Sequence, residues 1–153
     1  MGKNKSKVII ASDHGGFGLK EQLKSYLSSQ KIEFIDMGAD SMKDIDYPII
    51  VKSAIAKLKQ EPNSFAILIC GAGVGVSIAA NRFKGVRAAL CYSTEIAKLA
   101  REHNDANVLC LGGRFIDINT AIAITQTFIE TKPLNLVRHV RRRAELDNLD
   151  SAT

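Results

Sequence analysis

Five short apolar runs alternate with longer amphipathic stretches along the chain, and this alternation limits the possible folds more than any other feature. KVIIAS (7–12), IEFIDM (32–37), FAILIC (65–70), VRAALCY (86–92) and NVLCLG (107–112) have the length and β-branched content of buried strands. GFGLKEQLKSYLSSQ (16–30), YPIIVKSAIAKLKQ (47–60), GVSIAANRF (75–83), STEIAKLAREH (93–103) and DINTAIAITQTFIET (117–131) read as helices, with Ser93 placed to cap the fourth. Strands that alternate with helices predict a five-stranded parallel sheet covered on both faces, because right-handed crossovers leave few other arrangements.

The 153 residues fit a single domain, 1–153, long enough to bury well over half of its unfolded surface. Hydrophobic residues make up 46% and charged residues 24%, which excludes a disordered or low-complexity chain. No apolar stretch reaches the roughly 18 residues needed to span a membrane, and MGKNKSK lacks the apolar core of a signal peptide. A cytoplasmic protein with no membrane partner is expected. Met1, Gly2 and Ser6 match a short N-acylation pattern beside Lys3, Lys5 and Lys7, but such a start reads as solvated and frayed over residues 1–6. Cys70, Cys91 and Cys110 are odd in number and far apart, with no CxxC and no histidine at ligand spacing; this predicts free thiols and no metal site.

In open parallel sheets ligands gather at the carboxyl ends of the strands. That rule selects Asp13 and His14 after the first run, Asp46 and Tyr47 after the second, Cys70 with its loop after the third, and Arg114 after the fifth. The loop Gly71-Ala72-Gly73-Val74-Gly75-Val76 gives GxGxG where a dinucleotide fingerprint needs GxGxxG, and the next strand ends in Cys91-Tyr92 rather than an acidic residue. A phosphate-binding P-loop fails too, since no GK[ST] closes the motif. Three glycines still let backbone N–H groups crowd around a negative charge at a helix start.

Two readings of Cys70 stand open from local sequence: a buried structural thiol, or a thiolate favoured by the loop's N–H groups. The second would suit carbon-acid chemistry without metal or cofactor, a thiolate base removing a proton next to a carbonyl while N–H groups hold the enediolate oxygen. His14 in SDHGG and His103 in REHNDAN are both expected at the ligand edge, with Asp13 and Asn104 completing a polar constellation that packing does not require. The net charge of +5 is concentrated in RHVRRR (138–143). Arg138 and Arg142, four apart, share a helix face and could grip one phosphate. With no Trp, 6% aromatic residues and no nucleic-acid-binding motif, the pair fits a small phosphorylated ligand better than nucleic acid. The tail, 132–153, is expected to reach a site in a neighbouring subunit.

With SDHGG, DYP, ICGAGVGVSIAANRF, REHNDANVL and RHVRRR in this order, the chain resembles the ribose-5-phosphate isomerase B family over residues 7–147. Relatives of that family include galactose-6-phosphate and allose-6-phosphate isomerases. The resemblance implies a Rossmann-like α/β/α sandwich with a C-terminal helical tail, a homodimer or tetramer whose sites are each built from two subunits, and no cofactor. It implies interconversion of ribose 5-phosphate and ribulose 5-phosphate, with Cys70 as the base between C2 and C1 and His103 as the acid that helps open the furanose ring. Asn104, Asp13 and His14 would bind the sugar, Tyr47 would line the pocket, and Gly71, Ala72, Gly73, Val74 and Gly75 would hold the enediolate oxygens through their backbone. Arg114, with Arg138 and Arg142 from the neighbouring subunit, would contact substrate or phosphate.

Members of that family carry either a cysteine before the loop or a glutamate a few residues later as the base. With Cys70 present and Gly75-Val76-Ser77 following, this chain resembles the cysteine type. It departs from that type at Ala72, where a hydroxyl residue is common, so the carrier of the proton between the two sugar oxygens stays open among water, Asp13 and Ser77. A six-carbon sugar phosphate is the alternative substrate, and a non-catalytic phosphate-ligand protein the alternative class.

Overall fold

All five apolar runs form strands of one parallel sheet. In the computed structural model, which describes residues 6–152, these are β1 (Val8–Ser12), β2 (Phe34–Asp36), β3 (Phe65–Cys70), β4 (Ala88–Leu90) and β5 (Val108–Gly112), in the order β2-β1-β3-β5-β4. The helices are α1 (Phe17–Ser29), α2 (Tyr47–Gln60), α3 (Val74–Ala80), α4 (Thr94–Asn104), α5 (Ile118–Glu130) and, in the tail, α6 (Val137–Asp147). The architecture is the Rossmann-like α/β/α sandwich that the alternation and the resemblance imply. The expectations placed on residues 1–5, among them Met1, Gly2, Lys3 and Lys5 of the acylation-like start, lie outside the described residues. No helix among the described residues is long and apolar enough to cross a membrane.

Successive side chains of a strand point to opposite faces, so each strand feeds two cores. Val8, Ile10, Ile67, Ile69, Leu109 and Leu111 pack with Leu19, Leu23 and Leu27 of α1 and with Ala121, Ile124 and Phe128 of α5. Ile9, Ala11, Ala66, Leu68, Cys70, Val108 and Cys110 pack on the other face with Ile50, Val51, Ala54 and Ile55 of α2 and Val76 and Ala80 of α3. Each fully buried Val, Leu or Ile side chain contributes about 1.5–3 kcal/mol. Cys70 thus ends its strand on the α2–α3 face.

Several boundaries differ from expectation, and two of the differences have a local reason. The fourth strand keeps only three of seven predicted residues, being an edge strand hydrogen-bonded to β5 alone. The third helix stops at Ala80, because the Asn81 side chain turns to the backbone of Ala88, donating to its carbonyl at 3.0 Å and accepting from its N–H at 2.9 Å.

One lysine is sealed inside. Lys20 of α1 is fully buried, and its Nζ donates to Asp36 Oδ1 at 2.8 Å, to Asp36 Oδ2 at 3.0 Å and to the Ala39 carbonyl. Burial alone would raise the Asp36 carboxyl, but hydrogen bonds from Lys20, Lys24 and the Gly38 N–H hold it below its ordinary range.

Chain direction sets where chemistry can occur. The chain leaves β1 toward β2 on one side while β3 pairs on the other, so the carboxyl ends of β1 and β3 border a topological switch point. Each helix between strands runs back to the amino edge.

Candidate active site

Three turns meet at the switch point. β1 leaves through Asp13 into a 3-10 turn (His14–Gly16), β3 leaves through Cys70 into the glycine loop, and β5 leaves through Gly113 toward Arg114. Backbone bonds join them: the Asp13 N–H donates to Ile69 O at 3.2 Å, the Gly113 N–H to Cys70 O at 2.9 Å and the Arg114 N–H to Gly71 O at 3.0 Å. The turns approach so closely that a Cβ on Gly16 would lie 2.5 Å from Ile69 O.

Within this frame the Cys70 sulfur accepts a hydrogen bond from the Gly73 N–H at 3.1 Å. Gly73 holds φ +77°, a left-handed conformation that lets the loop turn its N–H back toward the strand end. The other two thiols are fully buried: burial pushes Cys91 up to about 11 and Cys110, which shares the core face of Cys70, well above the ordinary range. All three cysteines are free, as their spacing predicts.

Polar groups surround the loop. Asp13 is buried, and its Oδ1 accepts from the Gly16 N–H at 3.2 Å. His14 Nδ1 accepts from the Ile45 N–H at 3.4 Å, which leaves the ring proton on Nε2, 3.1 Å from Asp44 Oδ1. Tyr47 opens α2 with its ring over Gly75, where a Cβ would meet Cζ at 2.7 Å, and the Arg114 guanidinium lies beside Gly71, with Nη1 3.1 Å from a Cβ built there. A cleft of about 420 Å³ opens beside His14, lined by Asp44, Ile45, Asp46 and Ile49. A second cleft of about 430 Å³ lies at the amino edge, between the α3–β4 loop and the end of α6. Its Arg87 is already paired with Asp147 at 2.8 Å, and it lies away from the sulfur, so the chemistry belongs to the carboxyl edge.

The structure corrects the placement of His103 and Asn104. Both were expected at the ligand edge, but α4 runs back against the strands and ends at Asn104, at the amino edge, just before β5 begins at Val108. Cys70 pairs with Gly112, at the other end of β5. The length of β5, about 13 Å at ~3.3 Å per residue, therefore separates His103 from Cys70 of its own chain.

His103 and Asn104 instead meet the tail. The His103 ring stacks on His139 with centroids 4.3 Å apart and planes 12° from parallel, and Arg143 donates to the His103 carbonyl at 3.4 Å. Arg138 and Arg142 are exposed on α6 close enough that, after burial and His103, their charge helps hold His139 below its ordinary range. The expected site residues thus fall into two groups. Asp13, His14, Tyr47, Cys70, Gly71 to Gly75 and Arg114 share the carboxyl edge, while His103, Asn104, Arg138 and Arg142 share the α4–α6 face.

Two residues at the carboxyl edge escaped the sequence reading. Asp44 pairs with His14 from a loop that carries no periodicity. Tyr92 donates its hydroxyl to the Ala72 carbonyl, and the strand-end rule applied to the fourth run would have selected it. Ser77, one of the open proton carriers, donates its hydroxyl to the Val74 carbonyl at 2.7 Å. No group of three His, Cys, Asp or Glu among the described residues is arranged to hold a metal ion.

The sequence pattern described as ribose/galactose isomerase matches residues 8–146. A probable ribose-5-phosphate isomerase B of Mycoplasma pneumoniae is 43% identical over 126 residues, 82% of this chain and 83% of that protein. The crystal structure of a ribose 5-phosphate isomerase from Thermotoga maritima superposes with a TM-score of 0.90 at 45% identity, covering 94% of this chain and 98% of that one. Ribose-5-phosphate isomerase B from Mycoplasma genitalium, solved with bound ribulose-5-phosphate, gives a TM-score of 0.89 at 38% identity, covering 96% and 97%. Matched in sequence over nearly its whole length and in fold throughout, the chain belongs to the ribose/galactose isomerase family.

Proposed function

We propose that the chain interconverts ribose 5-phosphate and ribulose 5-phosphate through a cis-enediolate, with Cys70 as the base. The observation that carries this reading is the Cys70 sulfur facing the Gly73 N–H at 3.1 Å at the switch point, with Asp13, His14, Tyr47 and Arg114 at the same sheet edge. Aldose and ketose are isomers, so the reaction needs no electron acceptor. Cys70 as thiolate takes the proton from C2, the bonding pair becomes the C1–C2 double bond, and the carbonyl pair moves onto O1. N–H groups of the loop from Gly71 to Gly75 stabilise the charged oxygen. The thiol then returns the proton to C1, and the proton on O2 passes to O1. The carrier for the last transfer stays open among Asp13, whose Oδ1 accepts from the Gly16 N–H, water, and Ser77, whose hydroxyl donates to the Val74 carbonyl.

His103, Asn104, Arg138 and Arg142 act in this reading on the crevice of a second copy, His103 in ring opening and the arginines on the phosphate. Their distance from Cys70 of the same chain supports a homo-oligomer with shared sites. Exposed apolar side chains flank both groups, Val137 and Val140 on α6 and Val74, Ile78 and Phe115 near the crevice, and provide surface for such contact.

The test is direct. Purified protein in chelator-containing buffer converts ribose 5-phosphate, followed by proton NMR, and Cys70→Ala lowers the rate by about a hundred- to ten-thousand-fold, the usual range for a general base. An undiminished rate in Cys70→Ala removes Cys70 from the role. Because the family's description spans ribose and galactose, a six-carbon aldose phosphate is the second reading. Comparison of kcat/KM for ribose, allose and galactose phosphates decides between them.

A further inference from the structure

Tyr92 lies just beyond β4, two residues before α4 begins, and its hydroxyl donates to the carbonyl of Ala72. That carbonyl and the Gly73 N–H belong to one peptide group. The N–H side of the group donates to the Cys70 sulfur at 3.1 Å, so a single peptide plane joins the tyrosine hydroxyl to the sulfur. Gly112, on the neighbouring strand, leaves space for this join: a Cβ there would lie 2.6 Å from Tyr92 Oη and 2.7 Å from Ala72 O.

The plane needs such a hold. Gly73, at φ +77°, has no side chain to resist a turn of the Ala72–Gly73 peptide. A turned peptide would aim its carbonyl at the sulfur and repel a thiolate. The tyrosine hydroxyl finds its acceptor only in the orientation that presents the N–H to Cys70. Donation to the carbonyl also polarises the peptide and strengthens its N–H as a donor.

We propose that Tyr92 is a positioning residue that fixes the Ala72–Gly73 peptide with its N–H toward Cys70. This rests on the reading of Cys70 as the base, and it adds a residue outside the set that reading assigns. The other titratable or charged groups near the sulfur and its loop are Asp13 and His14 after β1, Tyr47 over Gly75, Arg114 beside Gly71 and Cys110 in the same core cluster. None of them is altered by a change at Tyr92.

The experiment compares full-length wild type, Tyr92→Phe and, as a control at a remote tyrosine, Tyr26→Phe. Alkylation of Cys70 by iodoacetamide is followed across pH with peptide mapping, which separates it from the fully buried Cys91 and Cys110. The expected result for Tyr92→Phe is a rise of alkylation displaced to higher pH, an equal displacement of the acid limb of kcat/KM, and a kcat about ten-fold lower with KM little changed, since hydrogen bonds to charged groups are the strong class. Tyr26→Phe moves none of these. An unchanged pH dependence of alkylation in folded Tyr92→Phe overturns the proposal. Full activity in Cys70→Ala would instead overturn the assignment of the base, while the alkylation profile still reports on the peptide.

Discussion

His103 and Cys70 stand at opposite edges of one sheet, His103 at the end of α4 and Cys70 at the end of β3. A reaction that needs both must draw them from two chains. Inactive Cys70→Ala and inactive His103→Ala are therefore expected to rescue each other when their subunits are mixed and reassembled. In a two-fold dimer half of the randomly formed pairs are mixed, and each mixed pair carries one intact site of two, so about a quarter of wild-type activity returns. No recovery, with mixed oligomers verified by mass spectrometry, would mean that each site is complete within one chain.

The carboxyl-edge group was legible in the sequence because strand ends are. A run such as FAILIC announces its own end, and parallel pairing then aligns Asp13, Cys70 and Arg114 at one edge. His103 was misplaced because it precedes an apolar run instead of following one, and residues before a parallel strand fall at the far edge. Tyr92 stands at a strand end that the same rule reaches, but its bond to Ala72, like that of Asp44 to His14, joins separate segments of the chain and has no periodic signature. The stack of His103 on His139 is hidden for the same reason, although the spacing of Arg138 and Arg142 places those two on one helix face.

The stack carries a pH dependence of stability. Burial, then His103, Arg138, Arg142 and Arg143, hold the folded-state value of His139 below its ordinary 6.5. Between the folded and unfolded values the unfolded chain binds more protons, so stability rises with pH across that window and falls as the solution is acidified below neutrality. His139→Phe keeps a flat ring against His103 but cannot titrate. Thermal midpoints measured from about pH 7 to about pH 5 should fall less steeply for His139→Phe than for wild type. Asp36, Glu61 and Asp117, held below the ordinary carboxylate range, titrate below this window in both proteins. Parallel curves would show that His139 does not contribute.

Two glycines share a left-handed φ but not their surroundings. Gly73, at +77°, would place a Cβ 2.5 Å from Leu90 Cδ1 and 2.8 Å from the Leu111 carbonyl carbon, whereas Gly85, at +80°, has nothing within 4 Å. Gly85→Ala should cost only the conformational penalty, about 1–2 kcal/mol, and keep full activity. Gly73→Ala adds overpacking of about 1–3 kcal/mol and displaces the N–H from the Cys70 sulfur, so stability and turnover fall together. Urea unfolding and isomerase rates on the two variants check this; equal losses would contradict it.

The buried ion pair of Lys20 with Asp36 is asymmetric, and the asymmetry fixes the order of three variants. The Asp36 side chain is 23% exposed and keeps Lys24 at 2.8 Å and the Gly38 N–H at 2.9 Å when Lys20 is lost. Lys20 is fully buried, and without Asp36 its ammonium retains the Ala39 carbonyl and, at 3.8 Å, a Glu21 carboxylate. Asp36→Ala therefore strands a buried charge, at a cost of about 3–5 kcal/mol, while Lys20→Met fills the same volume with an apolar chain and costs less. The double variant removes the stranded charge along with its partner, so it should be more stable than Asp36→Ala alone. Denaturant midpoints for the three proteins decide the matter: if the double variant is the least stable, removing the charge gives no relief, and the cost lies in lost packing rather than in the uncompensated ammonium.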